Sequence, residues 1–191
     1  MSMLGRASPA EAAGTPSLSS QQRRLLAKMA DEASIGAAEF PASSAQRRVW
    51  FVDQMAPRGA YAMPIALRLH GPLELEALRR AFQELVARHE ALRTTFPARD
   101  GTPVQLVHRE GGVPLTVMDR GCDGQIPFDA IRQEARRPFD LAQQPLARAT
   151  VWRLNPDDHV LLMVTHYIVA DGWSVEILLR DLAAPAEAAE R

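Results

Sequence analysis

The sequence predicts an α/β domain, and three observations predict it. An apolar run at 160–164 has the length and bounding signals of a buried strand. Ile65, Leu67 and Leu69 alternate with Ala66, Arg68 and His70, the two-residue period of a half-buried strand. Leu75, Leu78, Phe82, Leu85 and Val86 recur at helical spacing, as do Val175, Leu178, Leu179 and Leu182. At 191 residues, 47% of them apolar, the chain can fold as one domain with a sizeable core. The formal net charge is -1 with acids and bases interspersed, so nothing suggests a nucleic-acid footprint or a membrane-surface patch. No apolar stretch approaches ~18 residues, the length of a membrane span. No charged-then-apolar pattern at the N-terminus marks a signal peptide. A single cysteine rules out a disulfide framework within the chain, and a cytoplasmic protein is expected.

Residues 1–17 are rich in Ala, Gly, Pro and Ser and are expected to form a flexible tail. A helix is expected over 19–33, capped by Ser19 or Ser20, with a narrow stripe of Leu25, Leu26 and Met29. A second helix starts after Pro41 at Ser43-Ser44 and runs to Met55; Val49, Trp50, Phe51 and Val52 give it a broad apolar face that core packing explains. The alternating strand at 65–70 ends at Gly71-Pro72. The next helix covers 73–89, with His89 near its end, placed to satisfy backbone carbonyls. Thr95-Phe96 begins a strand, Asp100-Gly101 is a hairpin signal, and 104–108 is the returning arm. A short strand covers 114–118. Cys122 lies in a Gly-Cys-Asp-Gly loop and reads as a bystander. Residues 127–137 form a helix with Pro127 in its first turn and Ile131 and Ala135 inward. A strand at 147–154 and a turn at 155–158 lead into the apolar run.

That run ends at His166. Five residues on come Asp171 and Gly172, then a helix start that Ser174 is placed to cap, and Pro185 is expected to stop that helix. A His at a strand end before an Asp-Gly turn is common, so spacing alone does not assign chemistry to it.

Four segments together carry a resemblance. His166-Tyr167-x-x-x-Asp171-Gly172-Trp173-Ser174 resembles the His-His-x-x-x-Asp-Gly motif of the condensation domains of nonribosomal peptide synthetases. Residues 43–52 resemble that family's first motif, Ser-x-Ala-Gln-x-Arg-Leu-Trp-x-Leu. Arg88-His89-Glu90-Ala91-Leu92-Arg93-Thr94-Thr95-Phe96 resembles its second. Pro138-Phe139-Asp140-Leu141, followed by Pro145-Leu146-Ala147-Arg148, resembles a further segment. The resemblance runs over about 41–182.

It implies a two-layer α/β sandwich of the chloramphenicol acetyltransferase type, here the N-terminal lobe of a two-lobed domain with the catalytic motif between the lobes. The implied organisation is a tail at 1–17, a linker or docking helix at 18–36, the lobe at 37–184 and a frayed tail at 185–191. The implied reaction is amide formation between aminoacyl or acyl thioesters. The substrates ride on phosphopantetheine arms of peptidyl or acyl carrier domains, with no cofactor bound directly and no metal.

The second His of the motif is the family's catalytic residue, and Tyr167 stands there. A general base contributes ~10² to 10⁴ in rate and works best with a pKa near neutrality. A phenol, with a reference value of about 10, is a poor base, though it can donate a hydrogen bond to a developing oxyanion. His166 points to the opposite face of an extended backbone and is mainly structural in the family. An Arg from the early part of such domains pairs with the motif Asp; Arg93 is the candidate partner of Asp171, with Arg88 second. The site residues implied are therefore Tyr167, His166, Asp171 and Gly172, with Arg93 as ion-pair partner.

The changed motif and single lobe favour an interaction module, catalytically impaired, that binds carrier domains, other synthetase domains or a tailoring enzyme. The alternative is an active condensing or acyl-transfer enzyme that uses Tyr167 and a second lobe not present in this chain. A metal site built on His166 and Asp171 is a third, weaker reading, because no further His/Cys cluster has suitable spacing.

Overall fold

The computed structural model describes residues 37–119, 125–143 and 145–189. The expected tail at 1–17, the helix at 18–36 and the Cys122 loop lie outside the described residues.

A mixed four-stranded sheet carries the core. Its order is β2 (Ala62–His70), β8 (Asp158–His166), β7 (Ala147–Asn155), β6 (Leu115–Asp119). β2 and β7 run antiparallel to β8, and β6 runs parallel to β7. A parallel neighbour needs a crossover, and α3 (Phe128–Arg136) lies in the one between β6 and β7. β8 is central and buried along its whole length, which is why it reads as a continuous apolar run. β2 lies at the sheet edge, where Pro64, having no amide hydrogen, is tolerated.

One face of the sheet buries Ala149, Val151, Leu161 and Met163 against Phe82, Leu85 and Val86 of α2 (Leu75–Arg88) and Leu178 and Leu182 of α4 (Gly172–Ala189). The other face packs Trp152, Leu154, Leu162 and Val164 against Ala130, Ile131 and Ala135 of α3. Each fully buried aliphatic side chain contributes about 1.5–3 kcal/mol by its removal from water.

A second, smaller sheet orders β1 (Ala37–Pro41), β5 (Thr102–His108) and β3 (Thr94–Thr95), with β4 (Ala98–Arg99) paired to the start of β5. Asp100 and Gly101 join β4 to β5 with φ of 50° and 76°, the two positive angles that a type I′ hairpin turn requires. α1 (Ser44–Met55) packs beside this sheet. Its N-terminus is a full capping box: the Ser43 hydroxyl accepts from the Gln46 amide, and the Gln46 side chain accepts from the Ser43 amide.

Three expectations are corrected, and one strand, β1, was not expected. β1 was not legible, because Ala37-Ala38-Glu39-Phe40-Pro41 has no alternation and becomes a strand by pairing with β5. The apolar face of α1 is only partly core: Val49 and Trp50 pack inward, whereas Phe51 and Met55 are exposed. Pro185 does not stop α4, which runs to Ala189. A helical proline removes one hydrogen bond, and the alanines on either side have the highest helix propensity. His89 meets a side chain rather than carbonyls: its Nε2 lies 2.9 Å from the Asp181 carboxylate, tying α2 to α4.

Candidate functional site

β8 delivers His166 to the end of the sheet, and the chain then turns through 167–170 into α4. The turn is held by backbone bonds. The His166 amide donates to the Leu146 carbonyl at 3.0 Å, the Tyr167 amide to the Tyr61 carbonyl at 2.9 Å, and the Val169 amide to the His166 carbonyl at 3.0 Å. Consecutive side chains take opposite sides. His166 is buried, and Tyr167 is 46% exposed. Extended backbone predicts that the two adjacent side chains point to opposite faces; it does not say which of them is buried.

Each imidazole nitrogen of His166 has a partner. Nδ1 accepts the Ile168 amide hydrogen at 3.1 Å, and Nε2 lies 3.2 Å from the Asp53 carboxylate on α1. Neutral imidazole has one donor and one acceptor nitrogen. With Nδ1 accepting, the proton sits on Nε2 and is donated to Asp53. Burial is the main influence on this ring and pushes its pKa below the usual histidine value; the hydrogen bond and charge of Asp53 oppose that. The surround is aromatic. Phe139 meets the imidazole edge-on at 6.0 Å, and Tyr61 lies tilted at 6.2 Å from His166 and 6.4 Å from the Tyr167 ring. Behind Phe139 the buried Arg148 guanidinium stacks 4.1 Å from the ring centroid and donates to the Glu134 and Arg137 carbonyls at the end of α3.

Asp171 is an exposed helix cap. Its Oδ1 accepts from the Ser174 amide at 2.9 Å and from the Ser174 hydroxyl at 2.7 Å. The Ser174 hydroxyl, followed by its amide, holds the Asp171 carboxyl below its ordinary pKa. The capping residue of α4 is thus Asp171, with Ser174 reaching back to it. Gly172 opens the helix, and a Cβ there would have nothing within 4 Å.

The expected Arg93–Asp171 ion pair does not form. Arg93 lies 2.7 Å from Glu90, three residues before it in a 3-10 turn, and donates to the His108 carbonyl. Arg88 lies 3.4 Å from Asp181. The physical reason is burial: an exposed carboxylate satisfied by Ser174 leaves no desolvated charge for an arginine to compensate. The metal reading also gains no support. His166 and Asp171 are engaged by different partners, and among the described residues no three His, Cys, Asp or Glu side chains gather.

Two contributors were not legible. Asp53 is 113 residues from His166 in sequence. Its one local signal is a carboxylate in the last turn of a helix, where the macrodipole disfavours negative charge. Arg148 lies inside the segment that resembles the family, but its role as a buried cap on α3 depends on the fold.

A model of the condensation domain matches residues 37–190. The chain is 47% identical over 156 residues to an isonitrile lipopeptide synthase of Mycobacterium tuberculosis, covering 77% of this chain and 6% of that protein. It is 45% identical over 141 residues to the cyclosporin synthetase of Tolypocladium inflatum, covering 73% and 1%. Among solved structures, the X-domain from teicoplanin biosynthesis superposes with a TM-score of 0.69 at 35% identity, over 79% of this chain and 33% of that one. The starter condensation domain of rhizomide synthetase shares the fold with a TM-score of 0.70 at 21% identity, over 78% and 38%. The chain therefore spans a few per cent of these curated relatives and about a third of these solved domains. Among the described residues no helix is long and apolar enough to cross a membrane. With two sheets and four α-helices among the described residues, the chain belongs to the condensation-domain family of nonribosomal peptide synthetases and covers part of such a domain.

Proposed function

We propose that this chain is the first lobe of a condensation domain whose site no longer turns over, and that it acts by holding synthetase partners. One observation supports the reading: Tyr167 is exposed at the end of β8, and in the motif that this segment resembles the catalytic His falls at that position. A phenol there is a poor proton acceptor at neutral pH. The neighbouring imidazole is no substitute, because Asp53 and the Ile168 amide occupy its two nitrogens. Condensation domains of these synthetases work with substrates held on carrier-protein phosphopantetheine. The partners proposed here are accordingly peptidyl or acyl carrier domains and neighbouring synthetase domains, with nothing but the carrier arms entering the site. A tailoring enzyme is a further candidate, supported by a similar chain, the X-domain from teicoplanin biosynthesis, solved in complex with OxyB at 32% identity to this one.

Titration calorimetry of the chain against phosphopantetheine-loaded carrier domains and against candidate tailoring enzymes tests the partner half of this reading. Saturable binding to at least one is expected. A folded chain that binds none of them overturns it.

A second reading rests on the exposure of Tyr167, which leaves its hydroxyl free to donate to an oxyanion in a complete domain. Tyr167→Phe would then lower amide formation by the full-length synthetase; unchanged activity rules that role out.

A further inference from the structure

α1 places an acidic residue where a helix alone would not. Asp53 lies in the last turn, at the negative end of the macrodipole, and no basic residue shares that turn. A choice that conflicts with the local rule points to a partner elsewhere in the fold. That partner is the imidazole of His166, with its side chain 3% exposed and Nε2 3.2 Å from the Asp53 carboxylate. The other ring nitrogen accepts the Ile168 amide at 3.1 Å. The two bonds are linked by chemistry. A neutral imidazole that donates from Nε2 has only Nδ1 left as acceptor, and a ring protonated on Nδ1 would repel the Ile168 amide.

We propose that Asp53 is a positioning residue: its carboxylate keeps the His166 proton on Nε2, which leaves Nδ1 to pin the Ile168 amide and so fixes the backbone turn that presents Tyr167. α1 is itself anchored for this task. Trp50 donates from its indole to the Phe96 carbonyl at 3.1 Å, and the Gln46 side chain donates to Gln105 at 2.7 Å. The helix therefore couples the small sheet to the motif turn through one carboxylate. The proposal rests on the reading of residue 167 as the site's outward-facing group, but its test needs neither a partner nor turnover. Either reading can fail without the other.

The test is nitrogen-15 NMR of the His166 ring and amide hydrogen exchange of the intact chain. In the unmodified protein the ring is expected in the Nε2–H tautomer. Asp53→Asn keeps an acceptor oxygen and is expected to retain both the tautomer and the protection of Ile168. Asp53→Ala is expected to lose the single tautomer. Its Ile168 amide should exchange roughly tenfold faster, the factor that one hydrogen bond of ordinary net strength supplies, while the Leu162 amide in β8 stays protected. A purely structural role would raise exchange at Leu162 and Ile168 together. An Nδ1–H tautomer in the unmodified protein overturns the proposal, and this needs no variant to fold. Unchanged Ile168 exchange in a folded Asp53→Ala overturns it as well.

Discussion

His159 and Thr165 lie on the face of β8 that carries Leu161 and Met163, buried, and neither has a hydrogen-bond partner for its side-chain polar atoms among the described residues. A buried polar group without a partner costs roughly 1–3 kcal/mol of desolvation, so apolar replacements of similar shape should hold or improve stability. His159→Leu and Thr165→Val are predicted to unfold in urea at midpoints equal to or above that of the parent. A drop of more than about 1.5 kcal/mol in either would mean a partner exists and contradict the assignment. The same strand shows what single residues disclose in sequence. The opposite facing of His166 and Tyr167 was legible, because extended backbone alternates its side chains, but not which of the two is buried. The role of Asp171 was not. Its exposure and its bonds to Ser174 turn the expected buried ion-pair member into a helix cap. Asp53 was invisible for a different reason: a contact across 113 residues leaves no local pattern.

The elements meet at a close approach between the loop that follows α1 and the end of α3. Gly59 has φ of 82°, and a Cβ on it would collide with the Arg136 carbonyl oxygen. Gly71 also has positive φ, at 101°, but a Cβ there would meet nothing within 4 Å. Alanine at either position pays the left-handed strain of about 1–3 kcal/mol. Only Gly59→Ala must also displace backbone. Gly59→Ala is therefore predicted to destabilise more than Gly71→Ala, by at least about 1 kcal/mol in denaturant unfolding; equal effects would show that the loop moves aside freely. Elements with a strong local signal were readable in advance. The Ser43-Ser44 start of α1, the Asp-Gly turn between β4 and β5, and the apolar stripes of α2 and α4 all specify their structure through neighbours in sequence. β1 was not readable, since a strand of Ala37-Ala38-Glu39-Phe40-Pro41 depends on its partner β5. The exposure of Phe51 and Met55 was not readable either, because helical spacing groups residues on a face without saying what covers it.

For the molecule as a whole, two groups of ionisable residues set the response to acid. Desolvation lowers the pKa of His166 and His108 in the fold, while in the unfolded chain they charge near about 6.5. The unfolded state then binds more protons, and the stability these residues contribute is full above that value and declines as pH falls below it. The second group is carboxylates. Asp158 is held below its usual range by the Arg68 guanidinium, Asp171 by Ser174, and Asp181 by His89. Their contribution is present above about 4 and is lost as pH falls through the depressed folded values. Melting temperature is therefore predicted to fall in two stages, first from about pH 6.5 downward and again below about pH 4. A flat profile from pH 8 to pH 5 would contradict the desolvation of the two histidines. At this scale the family, the α/β class and the location of the motif were legible from four short segments, whereas the network that aims the motif turn required the fold.

The proposed interaction module holds its partners without joining their cargo. Intact-mass spectrometry measures this most directly. The folded chain is mixed with an aminoacyl-loaded donor carrier and a loaded acceptor carrier, and the mass of the acceptor is followed over time. The prediction is an acceptor whose mass stays constant. A gain equal to the donor acyl group would contradict it and return the chain to the condensing enzymes.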